Sequence, residues 1–189
     1  MKGALKLRER KRIILVTGRP GSGKSFLVEK VCERLKDMGY SVGGMLTRDI
    51  REGGRRVGFE IVDLNSGERS IMAHVRIRGE ARIGKYGVNL DSLRSIGARS
   101  IREAVEKADV VVIDEVGPME LKSREFIDAV KFAVESGKPI LATIHYRLRN
   151  PLIMDLKSRV DSEVLEIDVK NREIVLDEVL RRITEIVNR

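Results

Sequence analysis

Four side chains stand out for the chemistry their types and spacing allow. Lys24 and Ser25 close the run TGRPGSGKS (Thr17–Ser25), and Asp114 and Glu115 close the run VVVIDE (Val110–Glu115). The first run fits G-x-x-x-x-G-K-[ST] from Gly18 to Ser25. Glycines at 18, 21 and 23 let the backbone curl until successive N–H groups converge on an anion. A helix beginning at Lys24 adds unpaired N–H groups and the positive end of its dipole. Lys24 then offers a mobile cation to β- and γ-phosphates, and Ser25 a hydroxyl to Mg2+. Gly18, Arg19, Pro20, Gly21, Ser22, Gly23, Lys24 and Ser25 are therefore expected to cradle a nucleoside triphosphate. Arg19 and Pro20 fill variable positions, and a solvent-facing Arg19 stands beside a phosphate-facing one.

The second run supplies carboxylates. Four apolar residues read as a strand with Asp114 at its carboxyl end, where parallel sheets bind ligands. Asp114 is expected to hold the Mg2+ hydration shell and approach Ser25. Glu115 is expected to orient an attacking water and accept its proton, with Lys24 as the second catalytic residue; the competing reading of Glu115 is a cap on the turn before Gly117-Pro118. The nucleotide-binding stretch is taken as Val111, Val112, Ile113, Asp114, Glu115, Val116 and Gly117. Glu120 offers a second carboxylate, either catalytic or, the favoured reading, a helix-start charge ahead of Ser123.

Other candidates carry two readings each. Thr143 or His145, at the end of the run PILATI, could sense the γ-phosphate, hold the water or be structural. Arg159 could be an arginine finger in cis or a helix-end cation. Asn171-Arg172 could meet the base or make a turn. Lys85 and Tyr86, in RIGKYGV (Arg82–Val88), have the cation and ring a nucleotide lid would use, or form a surface turn. Cys32 lies on the apolar face of the first helix and reads as core.

The elements that must position these residues alternate. Ile13–Thr17 is a short apolar strand, followed by the glycine loop and a helix from Lys24 to a stop at Gly39. Ser41–Thr47 reads as a second strand. Turn signals at Arg51–Arg56 and Asn65–Glu68 flank Val57–Leu64 and Arg69–Val75, an antiparallel hairpin set into or beside the main sheet. Arg76–Val88 lacks a period and reads as a loop. A helix over Leu90–Ala108, broken at Gly97, precedes the strand Asp109–Asp114. Ser123 caps a helix ending at Gly137. Pro139–Ile144 is a strand, Pro151–Arg159 a short helix, Val164–Val169 an edge strand and Ile174–Val187 the last helix. Strands alternating with helices predict an α/β fold with a mostly parallel sheet covered on both faces. Residues 1–189 read as one domain, with the hairpin and loop at about 48–88 as an elaboration.

At 189 residues the chain is long enough for one well-buried domain. No apolar run is long enough to cross a bilayer, and the basic start MKGALKLRERKR lacks the apolar stretch of a secretory signal. One cysteine excludes an internal disulfide framework and fits the reducing cytoplasm. The net charge of +8 suits an anionic partner, a nucleotide or a nucleic acid, or simply an ion-paired surface. Charged residues make up 35% and glutamine is absent, a composition expected of a thermophile. Aromatic content of 4% leaves few stacking platforms for single-stranded nucleic acid.

Beyond these motifs, the segments GGMLTRDIREGGRRVGFEIVDLNSGE, ARIGKYGVNL, LATIH and NRE, together with TGRPGSGKS and VVIDEVGPMEL, span nearly the whole chain. In them the sequence resembles the small P-loop nucleoside-triphosphatases of bacteria and archaea, homologous to the human cancer-related nucleoside-triphosphatase. The resemblance implies a RecA-like core, a three-layer sandwich with added antiparallel strands, and Mg2+-dependent hydrolysis of ATP, GTP and other triphosphates with broad base tolerance. Pro118 departs from the family, which often has lysine there. Two other functions stay open: a nucleotide or small-molecule kinase, and a nucleic-acid-associated ATPase. Glu115 and phosphate release without an acceptor separate the first of these from a hydrolase.

Overall fold

Two strands with every residue but one buried set the frame: β1 (Ile13–Thr17) and β7 (Val110–Val116). Alternate side chains of β1 enter opposite cores, Ile13 and Leu15 on one side, Ile14 and Val16 on the other. Strands buried in this way must lie inside a sheet covered on both faces. The structure is a computed structural model that describes residues 11–188. The expectation about a secretory signal rests on a segment that lies mostly outside them.

The other strands are β2 (Val42–Glu52), β3 (Arg55–Asp63), β4 (Arg69–His74), β5 (Arg82–Ile83), β6 (Tyr86–Val88), β8 (Ile140–Ile144) and β9 (Ser162–Glu166). All join one sheet in the order β5-β6-β4-β3-β2-β7-β8-β1-β9. The half β2-β7-β8-β1-β9 is parallel, with β8 standing between the strand that feeds the glycine loop and the strand that ends in Asp114. This is the mostly parallel, RecA-like arrangement the sequence led us to expect. Helices α1 (Lys24–Asp37) and α6 (Arg172–Val187) cover one face through Leu27, Val31, Leu35, Val175 and Val179. The other face is covered by α3 (Arg99–Lys107), α4 (Arg124–Glu135) and α5 (Pro151–Ser158), with Ile101, Phe126 and Ile153 in its core. A one-turn α2 (Leu90–Ser92) precedes α3.

Three expectations change. First, β2 runs past Thr47. It leaves β7 after Met45 and continues to Glu52 paired with β3, which sets the expected hairpin of β3 and β4 into the main sheet. The polar run TRDIRE hides this strand, because both faces of the arm carry charge: Arg56 lies over the Phe59 ring at 4.9 Å and pairs with Asp49. Second, Arg76–Val88 contains β5 and β6, held by backbone pairing of Ala73 with Val88 and His74 with Gly87. Strands of two and three residues are too short to show a period. Third, Gly97 does not break the helix. Leu93–Ala98 is a π-helical turn that continues into α3. A Cβ on Gly97 would stand 2.9 Å from Ile61 Cδ1, so the glycine serves close packing against β3. The edge strand expected at Val164–Val169 is β9, two to three residues earlier and paired only with β1. No helix of the described residues is long and apolar enough to cross a membrane.

Candidate active site

The loop between β1 and α1 is shaped by what its glycines permit. Gly21 and Gly23 take φ of 80° and 97°, a region that side chains disfavour. Gly18 has ordinary torsions but no room, since a Cβ there would lie 2.3 Å from the carbonyl oxygen of Ile167. Ser22 N–H closes the turn onto Arg19 O at 3.0 Å. Helix α1 then starts from Gly23 with no capping side chain and no acid in its first turn. By contrast, Ser123 caps α4 and Asn150 caps α5. The first N–H groups of α1 are left to an anion. Lys24 turns back over the loop, its Nζ donating to Gly18 O at 3.2 Å. Arg19, Pro20 and Ser25 are exposed, whereas Ser22 is buried with its Oγ lacking a partner among the described residues.

β7 brings the carboxylates to the same end of the sheet. Val111, Val112, Ile113 and Val116 are buried in the two cores. Their side chains pack into the cores, and their backbone carries Asp114 and Glu115 to the end of the sheet. Asp114 is 1% exposed. Thr143, on the adjacent β8, donates its hydroxyl to Asp114 Oδ1, and the Ser25 hydroxyl is near enough to the carboxylate to favour its charged form. Oδ2 has no partner among the described residues. Burial pushes Asp114 up to about 6, opposed by the Thr143 and Ser25 hydroxyls and by Lys24. Thr143 thus positions Asp114, and its fully buried hydroxyl is engaged there rather than free to sense phosphate.

Glu115 is also pushed above the usual carboxylate range by burial, again opposed by Lys24. A helix-start charge at Glu120 should be solvated, yet the residue is 3% exposed. It stands on a short 3-10 turn (Glu120–Lys122) after β7. A Cβ on Gly117 would lie 2.5 Å from Glu115 Oε1 and 3.0 Å from Glu120 Oε2, so those two oxygens are at most 5.5 Å apart. Gly117 is what lets them converge. Burial, with Glu115 nearby, pushes Glu120 up to about 8. The sequence signal for Glu120 was weak because nothing local distinguishes a buried glutamate from a capping one.

This has a consequence for stability. An unfolded chain releases the Glu120 proton near 4.5, and the folded protein keeps it to about 8. The folded state therefore binds more protons across that window, and its stability falls as pH rises through it, by up to about 1.4 kcal/mol per pH unit. Glu120→Gln has no proton to lose. Its melting temperature without nucleotide is expected to match wild type near pH 5 and exceed it near pH 8. An equal gap at both pH values would show that Glu120 is not held protonated.

Of the remaining candidates, His145 stands just past β8, near enough to Lys24 to feel its charge. Burial and then the Lys24 charge lower its pKa, and its Nδ1 accepts from Arg147 N–H at 3.4 Å. Arg159 pairs with Asp161 and Glu135, and Arg12, just before β1, also pairs with Asp161. That cluster is at the amino ends of β1 and β9, opposite the glycine loop, so the arginine-finger expectation is corrected to a structural cation. Lys85 and Tyr86 sit on the antiparallel extension and both donate to Arg56 O, while Tyr86 packs edge-on to Phe59 at 5.2 Å. β6 is six strands from β1 in the sheet, roughly 29 Å at about 4.8 Å per strand. In the structure these side chains brace the arm and are not brought together with the glycine loop.

The comparisons with known proteins agree with this geometry. The family model described as NTPase matches residues 13–180. The chain belongs to this NTPase family. A curated relative, nucleoside-triphosphatase THEP1 of Methanopyrus kandleri, is 44% identical over 91% of this chain and 95% of its own length. THEP1 of Methanocaldococcus jannaschii is 41% identical over 90% and 96%. Among solved structures, a human cancer-related nucleoside triphosphatase superposes with a TM-score of 0.79 at 35% identity, covering 92% of this chain and 98% of that one. The resemblance seen in the sequence and the P-loop NTPase fold are both borne out. Several of these NTPase relatives come from thermophiles, including the hyperthermophile Aquifex aeolicus, whose THEP1 superposes with a TM-score of 0.79.

Proposed function

We propose that this NTPase cleaves the terminal phosphoanhydride of nucleoside triphosphates with Mg2+, yields diphosphate and phosphate, and discriminates little among bases. One observation carries the reading. Lys24, Asp114, Glu115 and the uncapped start of α1 meet at one end of the sheet, and Lys24 acts electrostatically on both carboxylates. Backbone N–H groups and a lysine hold phosphate without touching a base, so triphosphates of different bases should turn over alike.

The donor set fits Mg2+. Asp114 Oδ2 is a buried, unpartnered hard oxygen, and Ser25 is the hydroxyl next to it. These two, with phosphate oxygens and water, suit an ion that is seldom enclosed by protein alone. Among the described residues no cluster of three or more acidic, histidine or cysteine side chains could hold a metal unaided. Bound there, Mg2+ would neutralise charge on the β- and γ-oxygens. Glu115 takes the proton of the attacking water. Lys24 and the N–H groups of Gly21–Lys24 stabilise charge that grows on the leaving diphosphate. His145, kept neutral with Nδ1 accepting, offers Nε2–H to the γ-phosphate. We place this chemistry in one domain and in the cytoplasm, where a lone buried thiol such as Cys32 stays reduced.

The test is phosphate release from ATP, GTP, CTP and UTP with Mg2+ and no acceptor. Values of kcat/KM within about ten-fold of one another are expected, with loss of activity in EDTA. Release only when a phosphoryl acceptor is added would instead identify a kinase. Strong stimulation by single-stranded DNA or RNA, fading as salt rises, would identify a nucleic-acid-associated ATPase.

A further inference from the structure

The loop after β9 returns to the phosphate cradle. Ile167 N–H donates to Thr17 O at 2.8 Å. Asn171 ties the turn, its Oδ1 accepting from Asp168 N–H at 2.8 Å and its Nδ2 donating to Glu166 O at 3.0 Å. This seats the start of α6 against the glycine loop. Arg172, the first residue of α6, reaches across: its Cδ and Nη1 lie 2.9 and 3.0 Å from where a Cβ on Gly23 would stand. Its guanidinium lies over the ring of Phe26, 4.9 Å from the centroid. Arg172 Nε is buried without a hydrogen-bond partner among the described residues. Arg182 on the same helix, by contrast, is paired with Glu163 and Glu178. Phe26, two residues past Lys24, is 45% exposed, an unusual place for a large ring.

Sheet order says which end of a nucleotide this corner meets. Asp114 and Glu115 on β7 set the γ-phosphate end, and β7 lies on the β8 side of β1. β9 and the start of α6 lie on the other side, so a triphosphate held by the loop points its base towards Arg172. The geometry points to Arg172, propped on Phe26, as the platform on which the base stacks. This rests on the triphosphatase reading above and supplies its missing half. A guanidinium plane attracts the π-face that every base has and reads no base edge, so it adds affinity without selectivity.

The experiment is calorimetric binding of ADP, GDP and CDP with Mg2+, with inorganic pyrophosphate as the base-free probe. Arg172→Ala should weaken all three nucleotides by roughly ten- to hundred-fold, the range of lost base stacking, and leave pyrophosphate within about two-fold. Retained pyrophosphate binding also certifies the fold. Arg172→Lys keeps the charge but not the plane, and should not restore nucleotide affinity. Phe26→Leu should show a smaller loss with the same pattern. Equal loss for pyrophosphate would make Arg172 a phosphate ligand and overturn the platform. Unchanged nucleotide affinity would overturn it and leave the triphosphatase reading standing. A wild-type protein that binds no nucleotide would overturn both.

Discussion

Glu115→Gln is expected to lower kcat for ATP by roughly 10²–10⁴-fold, the range that general-base catalysis supplies, while the Kd for ATP changes less than about three-fold. The amide keeps the size and planar shape of the carboxylate and loses its charge and its ability to take a proton. Burial already raises the Glu115 pKa, and Lys24 restrains the rise, which moves the group towards the basicity a general base needs at neutral pH. Single-turnover phosphate release and equilibrium binding on one preparation separate the two quantities. Wild-type turnover in the variant would remove Glu115 from water activation. Loss of binding equal to the loss of rate would make it a ligand of the ground state.

Lys24→Ala is expected to weaken ATP binding by about 10²-fold and to abolish measurable turnover, since charged donors aimed at developing charge are worth about 10²–10³ each. Two effects combine. The phosphates lose their mobile counter-charge. The carboxyls of Asp114 and Glu115, which Lys24 holds down against burial, rise further and become less available as ligand and base. Folding should barely respond: Lys24 makes one hydrogen bond, to Gly18 O, worth about 1 kcal/mol. That predicts a fall in melting temperature of no more than about 4 °C for a chain of this size. ATP affinity at the wild-type level would overturn the cradle; a collapse in melting temperature would make Lys24 structural.

Local chemistry was readable in the sequence wherever neighbours in the chain act together. The glycine loop, the start of α1, the apolar strand ending in Asp114 and the Ser123 cap each depend on residues a few positions apart. Periodicity revealed the long helices and buried strands for the same reason. Residues that act across the sheet were not readable. Thr143 reaches Asp114 because β8 lies beside β7, and the order of strands is not written in any one segment. Glu120 joins Glu115 because Gly117 has no side chain and the 3-10 turn folds back; the local sequence fits a solvated cap equally well. Arg159 and Lys85 had the right charge for a phosphate and lie at the wrong places, one at the amino ends of the strands and the other on the antiparallel arm. Side-chain type specifies what a group can do. The desolvation that raises the pKa of Asp114, Glu115 and Glu120, and the proximity of Lys24 that restrains the first two, come only from tertiary packing, because both depend on what surrounds a group in space and not on its neighbours along the chain.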